Sequence, residues 1–206
     1  INFLLFFSMI CLFVSAQTIE QTYHFENPIV SEIQNYNQVQ FKDCMQTAVE
    51  GNPSLPYKAV SLLLPYGAEA ASVEVVLSDF EEITLDKEIF PYQAARPYSK
   101  PERKAFAKNE ELYSSKGVYP TENHGVLTTH YLNGHAFAFT SFTPVQYEPS
   151  SGKVSYAKTA TVKVNIVSAK KDNSAMLWNT PYINNKVQSL ADNPEMLSTY
   201  KTRGRD

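Results

Sequence analysis

Val154-Ser155-Tyr156-Ala157-Lys158-Thr159-Ala160-Thr161-Val162-Lys163-Val164-Asn165-Ile166 sorts by parity. Even positions run Val154, Tyr156, Lys158, Ala160, Val162, Val164 and Ile166; odd positions run Ser155, Ala157, Thr159, Thr161, Lys163 and Asn165. A period of two describes a strand with one buried and one wet face. Upstream, residues 136–147 are rich in Phe and Thr, and Glu148-Pro149-Ser150-Ser151-Gly152-Lys153 separates the two runs. There proline presets one turn dihedral and glycine supplies a positive one. The expectation is a hairpin between these runs, forming the central ladder of a sandwich.

Composition extends that reading to the whole chain. With 206 residues, one sizeable core is affordable without disulfides. A hydrophobic content of 43% against 19% charged residues argues against disorder, and the supply of Tyr, Phe, Val and Thr favours strands. The expected fold is all-β, an antiparallel β-sandwich with a short C-terminal helical segment. A formal net charge of -3 gives no global attraction to nucleic acid or anionic lipid, so any electrostatic partner is met locally.

Residues 1–16 carry no charged group, and their apolar span is shorter than the roughly 20 residues a bilayer needs. Val14-Ser15-Ala16 places small residues before Gln17, so a secretory signal cleaved between Ala16 and Gln17 is expected. Export to the cell envelope or the medium follows, with no integral membrane segment after signal removal. Ile10 before Cys11 is too large for a lipoprotein anchor. Signal removal leaves Cys44 alone, and a lone thiol of this kind is a small core hydrophobe before it is a nucleophile.

Further along, residues 21–30 and 35–41 read as strands, with Asn27-Pro28 keeping the first at an edge or bulge. Gly51-Asn52-Pro53-Ser54-Leu55-Pro56-Tyr57 is a stiff extended lead-in to the apolar run 59–64, whose flanking breakers favour a buried strand. Residues 72–77 and 82–90 follow as a meander. Residues 91–120, with prolines at 91, 97, 101 and 120, read as a long excursion from the sheet rather than a core element. Strands resume at 125–132 and 135–142 around Asn133-Gly134, the strongest short hairpin signal. Beyond 167, Ile183, Val187, Leu190 and Ala191 recur at helical spacing, and Asp192-Asn193-Pro194 stops that helix and starts a second, short one over 194–200. The expected division is a signal over 1–16, a sandwich over 17–167, and a helical segment and linker over 168–206.

No catalytic constellation stands out. The chain has no Gly-x-Ser-x-Gly elbow, phosphate-binding glycine loop or metal motif, and His124, His130 and His135 match no zinc spacing. Glu81-Glu82 and Glu110-Glu111 are sequence neighbours that point to opposite faces on a strand, which suits a solvated surface. No cofactor, metal or catalytic residue is expected. One local charge cluster does stand out: Arg96, Lys100, Arg103, Lys104 and Lys108 face a single acid, Glu102, before Glu110 and Glu111 reverse the sign. Its bland reading is a solvated loop.

Five blocks change the weight of that reading. Gly51-Asn52-Pro53-Ser54-Leu55-Pro56, Leu62-Leu63-Leu64-Pro65-Tyr66-Gly67, Arg96-Pro97-Tyr98-Ser99, Val118-Tyr119-Pro120 and Pro144-Val145-Gln146-Tyr147-Glu148-Pro149, in this order, resemble the amino-terminal prodomain of gingipain-type cysteine peptidases, family C25. The resemblance spans most of residues 26–166. It implies a β-sandwich that precedes a caspase-like catalytic domain, its partner in cis, assists its folding and holds it latent until cut away. It also implies a loop that presents a basic side chain to the specificity pocket, for which Arg96, Arg103 and Lys104 are the candidates. Arg203 and Arg205, in a polar tail flanking Gly204, are candidate processing sites; a plain linker is the other reading. The fragment itself is then non-catalytic, from the precursor of a cysteine-type endopeptidase in a Gram-negative envelope. Two other readings stay open, because fold does not fix function: an exported adhesion or carbohydrate-binding sandwich, and a prodomain fold reused to direct or anchor an unrelated enzyme.

Overall fold

The computed structural model describes residues 17–95, 105–169 and 177–200. In chain order these form β1 (Gln17–His24), β2 (Ile29–Ile33), β3 (Tyr36–Gln40), β4 (Met45–Gln46), β5 (Pro56–Leu63), β6 (Ala68–Ile83), α1 (Glu110–Tyr113), β7 (Thr128–Leu132), β8 (His135–Phe142), β9 (Val145–Glu148), β10 (Lys153–Ser168), α2 (Pro181–Leu190) and a terminal 3-10 helix (Pro194–Tyr200). The fold is all-β and antiparallel with a short helical C-terminal segment, as the parity pattern and composition predict.

The parity stretch is the spine of the first sheet. β10 pairs with β6 along one edge, while its other edge is shared: β1 covers residues 159–166 and β9 covers residues 153–156. The change of partner falls at Ala157 and Lys158, where Ala157 N–H donates to Pro144 O (2.9 Å) and Phe25 N–H donates to Lys158 O (2.8 Å). The alternation is interrupted at the same place, with Ala157 buried and Lys158 exposed, and even positions are buried again from Ala160. Opposite, Asp79 of β6 sits at φ 57, and the ladder resumes on either side as Ala157↔Phe80 and Thr159↔Ser78. The outer face is wet. Ion pairs Lys153–Glu82 (3.4 Å), Lys158–Glu81 and Lys163–Glu20 (3.6 Å) lie across neighbouring strands.

Several sequence expectations are corrected. Of the run 136–147 only residues 145–147, with Glu148 forming β9, make a hairpin with β10; β8 instead pairs with β5 and β7 in the second sheet, ordered β4-β5-β8-β7. Thr143-Pro144 carries the chain between sheets, since proline has no N–H for a ladder and Thr143 N–H is taken by Asn123 O (2.8 Å). In place of the meander over 72–77 and 82–90 there is one strand, β6, of 16 residues that ends at Ile83; a long partner in β10 lets it pass Asp79 without ending. Residues 84–90 lie off that sheet, and Ile89 bridges instead to Asn37 of β3, in the separate two-stranded β2–β3 sheet. The strand expected over 21–30 breaks at Asn27-Pro28 into β1 and β2, and Asn35 belongs to the β2–β3 turn, where Gln34 and Asn35 have φ 48 and 70. Two positive dihedrals are what a two-residue hairpin of matching twist requires.

Burial explains the continuous apolar runs. Val60, Leu62 and Leu64 face Val75, Val162 and Val164 between the sheets, whereas Leu63 and Phe137 face outward onto Val187 and Tyr200 of the helical segment. β5 is therefore covered on both faces, which an alternating strand would not tolerate. A separate cluster around Val39, Leu55, Ile89, Tyr113 and Tyr147 closes one end. The helical segment is latched by main-chain mimicry. Asn193 accepts from Leu63 N–H (2.7 Å) and donates to Leu63 O (3.0 Å), while Asp192 accepts from Ser61 N–H (2.9 Å) and from the Tyr23 hydroxyl (2.8 Å).

Candidate functional site: the stem of the basic segment

The basic candidates Arg96, Arg103 and Lys104 lie outside the described residues, as do the processing candidates Arg203 and Arg205 and the signal residue Ala16. Gln17 begins β1, paired with Ile166. The structure does describe what carries the basic segment: its two shoulders, residues 91–95 and 105–109, and the frame that holds them.

The frame is built on Gly51-Asn52-Pro53. Gly51 N–H donates to Tyr92 O (2.8 Å), Tyr92 N–H donates to Asn52 O (2.9 Å), and Asn109 N–H donates to Gly51 O (2.9 Å). Three stretches far apart in sequence thus meet as a short ladder. Gly51 sits at φ +80, and a Cβ there would come 3.3 Å from Asn109 N, so both the dihedral and the close approach call for glycine. Asn109 Nδ2 donates to Asn52 Oδ1 (2.9 Å), and Asn109 Oδ1 accepts from Leu112 N–H (3.1 Å), which caps α1. α1 then sends Tyr113 into the end cluster, where its hydroxyl donates to Ile89 O (2.6 Å) and burial pushes its pKa far up. Residues 91–120 are therefore not a free excursion: one turn of helix and a buried tyrosine anchor their middle.

Nearer the segment, Gln93 spans the shoulders. Its Nε2 donates to Pro91 O (2.8 Å) and Ala107 O (2.7 Å), and its Oε1 accepts from Ala107 N–H (2.9 Å). Beside it Phe106 stacks on Tyr36 (centroids 5.6 Å, 14°) and meets Phe90 edge-on (6.3 Å). Lys108 donates to Glu88 (2.8 Å) and stands over the Tyr113 ring (4.6 Å); the Glu88 hydrogen bond raises its pKa. This lysine of the basic cluster is committed to the stem rather than to a partner.

The remaining chemistry-bearing residues are dispersed. His124 contacts Gly125 O (3.1 Å), His130 leans on Phe139, and His135 is buried against Tyr200. Among the described residues no cluster could hold a metal ion. Burial pushes the Cys44 thiol up to about 11, so it is not a thiolate at neutral pH. Gln93, Asn52 and Tyr113 were not legible as functional from sequence. Nor was the helix start: Glu110 and Glu111, read above as neighbours on a strand, open α1 behind the Asn109 cap.

A family model for the C25 propeptide, Propeptide_C25, matches residues 14–192. The chain belongs to the C25 propeptide family. Two solved structures share the propeptide's fold, both from Porphyromonas gingivalis. One is a complex of the RgpB pro- and mature domains, at 18% identity and a TM-score of 0.66, covering 88% of this chain and 95% of that one. The other concerns the zymogenic latency of gingipain K, at 19% identity and a TM-score of 0.58, covering 74% of this chain and 88% of that one. No curated protein matches.

Proposed function

We propose that this propeptide is the latency and folding domain of an exported gingipain-like cysteine endopeptidase. The sandwich docks over the cleft of a caspase-like catalytic domain in cis, and a guanidinium or ammonium from Arg96, Arg103 or Lys104 enters a pocket lined by a carboxylate. The observation that carries the reading is the stem: a basic segment in an acidic chain is held at both shoulders by a hydrogen-bonded frame. A charge-assisted, partly desolvated contact costs about 2–5 kcal/mol when truncated, enough to dominate an interface of about 800 Å² per partner. The domain itself performs no reaction. Its division is a signal over 1–16, a sandwich over 17–167 and a helical segment and linker over 168–206, with release by cutting at Arg203 or Arg205. Family membership leaves the adhesion and carbohydrate-binding reading without support.

The test uses the peptidase domain encoded in the same gene, expressed apart and titrated with this chain. Inhibition is expected, weakened at least tenfold by Arg96→Ala, Arg103→Ala or Lys104→Ala with unchanged thermal midpoints, since each about 1.4 kcal/mol is a decade. Unchanged inhibition constants for all three, or a gene with no His and Cys dyad downstream, refute the reading.

A further inference from the structure

Gln93 does for the two shoulders what a paired residue does in a ladder. Its carboxamide accepts from Ala107 N–H and donates to Ala107 O, two groups 14 residues away in sequence, and also ties back to Pro91 O. It belongs to none of the buried core clusters. Below it the frame of Gly51, Asn52, Tyr92 and Asn109 is closed by its own bonds. Removing the Gln93 side chain therefore frees the upper shoulders and little else.

We propose that Gln93 is a positioning residue for inhibition, its carboxamide fixing the spacing and direction in which the shoulders deliver the basic segment to the peptidase cleft. The proposal rests on the latency reading above. A segment ordered only on docking gives up backbone freedom at that moment, and shoulders ordered beforehand do not. Phe106, stacked on Tyr36 next to Ala107, shares in the same ordering. Loss of the clamp leaves residues 93–95 and 105–107 to be ordered on binding. Freezing even one or two of them weakens inhibition about tenfold to a hundredfold.

The experiment compares the wild-type chain, Gln93→Ala, Gln93→Glu and the combined Arg96→Ala/Arg103→Ala/Lys104→Ala variant. Readouts are the inhibition constant against the catalytic domain of the same gene, the thermal midpoint, and amide hydrogen exchange. Gln93→Ala is expected to raise the inhibition constant about tenfold to a hundredfold and to speed exchange at Ala107 N–H while Asn109 N–H stays protected. Its midpoint should fall by no more than about 4 °C. Gln93→Glu keeps the acceptor for Ala107 N–H, loses both donated bonds, and should fall between. Wild-type inhibition by Gln93→Ala alongside lost inhibition by the combined variant overturns the proposal and leaves the latency reading standing. Wild-type inhibition by both overturns the proposal together with the role given to the three basic residues, and no inhibition by the wild-type chain overturns the latency reading and the proposal with it. Should Gln93→Ala fail to fold, an unchanged constant for Gln93→Glu overturns the proposal instead.

Discussion

Asn193→Ala tests whether the helical segment is held by its main-chain mimicry. Asn193 is 2% exposed and Leu63 is 0% exposed, so the two hydrogen bonds between them are shielded from water. Truncation leaves the Leu63 N–H and C=O without partners, and each orphaned buried group costs about 1–3 kcal/mol. The sum, roughly 2–6 kcal/mol, is a large share of the 5–15 kcal/mol that typical domains possess. Undocking sets the ceiling: if the penalty exceeds the hold of Val187 and Tyr200 on Leu63 and Phe137, the helical segment lifts away and water satisfies the edge. The assay is a urea titration followed by far-ultraviolet circular dichroism, which reports the sheets, and by fluorescence of Trp178, the single tryptophan, which lies at the start of that segment. A loss of about 3 kcal/mol shifts the midpoint by roughly 1 M or more, and separation of the two curves signals undocking first. Asn193→Asp supplies the control. A carboxylate keeps an acceptor for Leu63 N–H but sets an oxygen against Leu63 O, so this variant should be weak at neutral pH and recover when the carboxyl is protonated and can donate. An Asn193→Ala variant within about 0.5 kcal/mol of wild type, or an Asn193→Asp variant indifferent to pH, refutes the mimicry.

Two further outcomes follow from the core. Leu62→Ala, at a fully buried site between the sheets, should cost about 2–5 kcal/mol, while Thr161→Ala on the wet face of β10 should stay within about 0.5 kcal/mol; comparable losses in chemical denaturation would contradict the parity assignment. Burial pushes the phenols of Tyr147 and Tyr200 up to about 12. The unfolded chain releases those protons from pH about 10, the folded chain retains them, and stability falls with rising pH wherever the unfolded state binds fewer protons. The contribution of these two tyrosines should therefore be level below pH about 10 and fall by roughly 2–3 kcal/mol per tyrosine on the way to about 12. A flat denaturation midpoint through that window would show the two hydroxyls to be accessible.

What the sequence disclosed depended on how local its physics was. The parity of residues 154–166 predicted β10 because a strand with one wet face writes its burial into every second residue. Asn133-Gly134 predicted the β7–β8 hairpin because its dihedrals are a local demand, met at φ 50 and 82. Pairing partners are another matter. Nothing within residues 136–147 says that the chain changes sheets at Pro144 while β9 alone stays with β10, because the hydrogen bonds that decide it come from Asn123 and Ala157. The join around Asp79 was equally opaque: residues 72–77 and 82–90 read as two strands of a meander, yet β10 continues past Asp79 and holds β6 as one strand.

The candidate site divides along the same line. A run of basic residues with one acid among them is a local fact, so the sequence marks the segment by itself. Its stem was not, since it joins residues near 51, 92 and 109 through main-chain bonds that carry no composition signal. Lys108 shows why charge counting alone misleads, for it belongs to the same run but is bound to Glu88 and Tyr113 within the fold. Gln93 makes the complementary point. A neutral side chain between Tyr92 and Ala94 looks interchangeable, yet its carboxamide joins the two shoulders directly at Ala107. Under the latency reading proposed above, the residues offered to the peptidase are charged, while the one proposed to aim them is neutral and joins groups near in space and remote in sequence. Substitutions among those charged residues would then leave the stem intact as long as Gly51 keeps its positive φ and Tyr113 keeps its place in the end cluster.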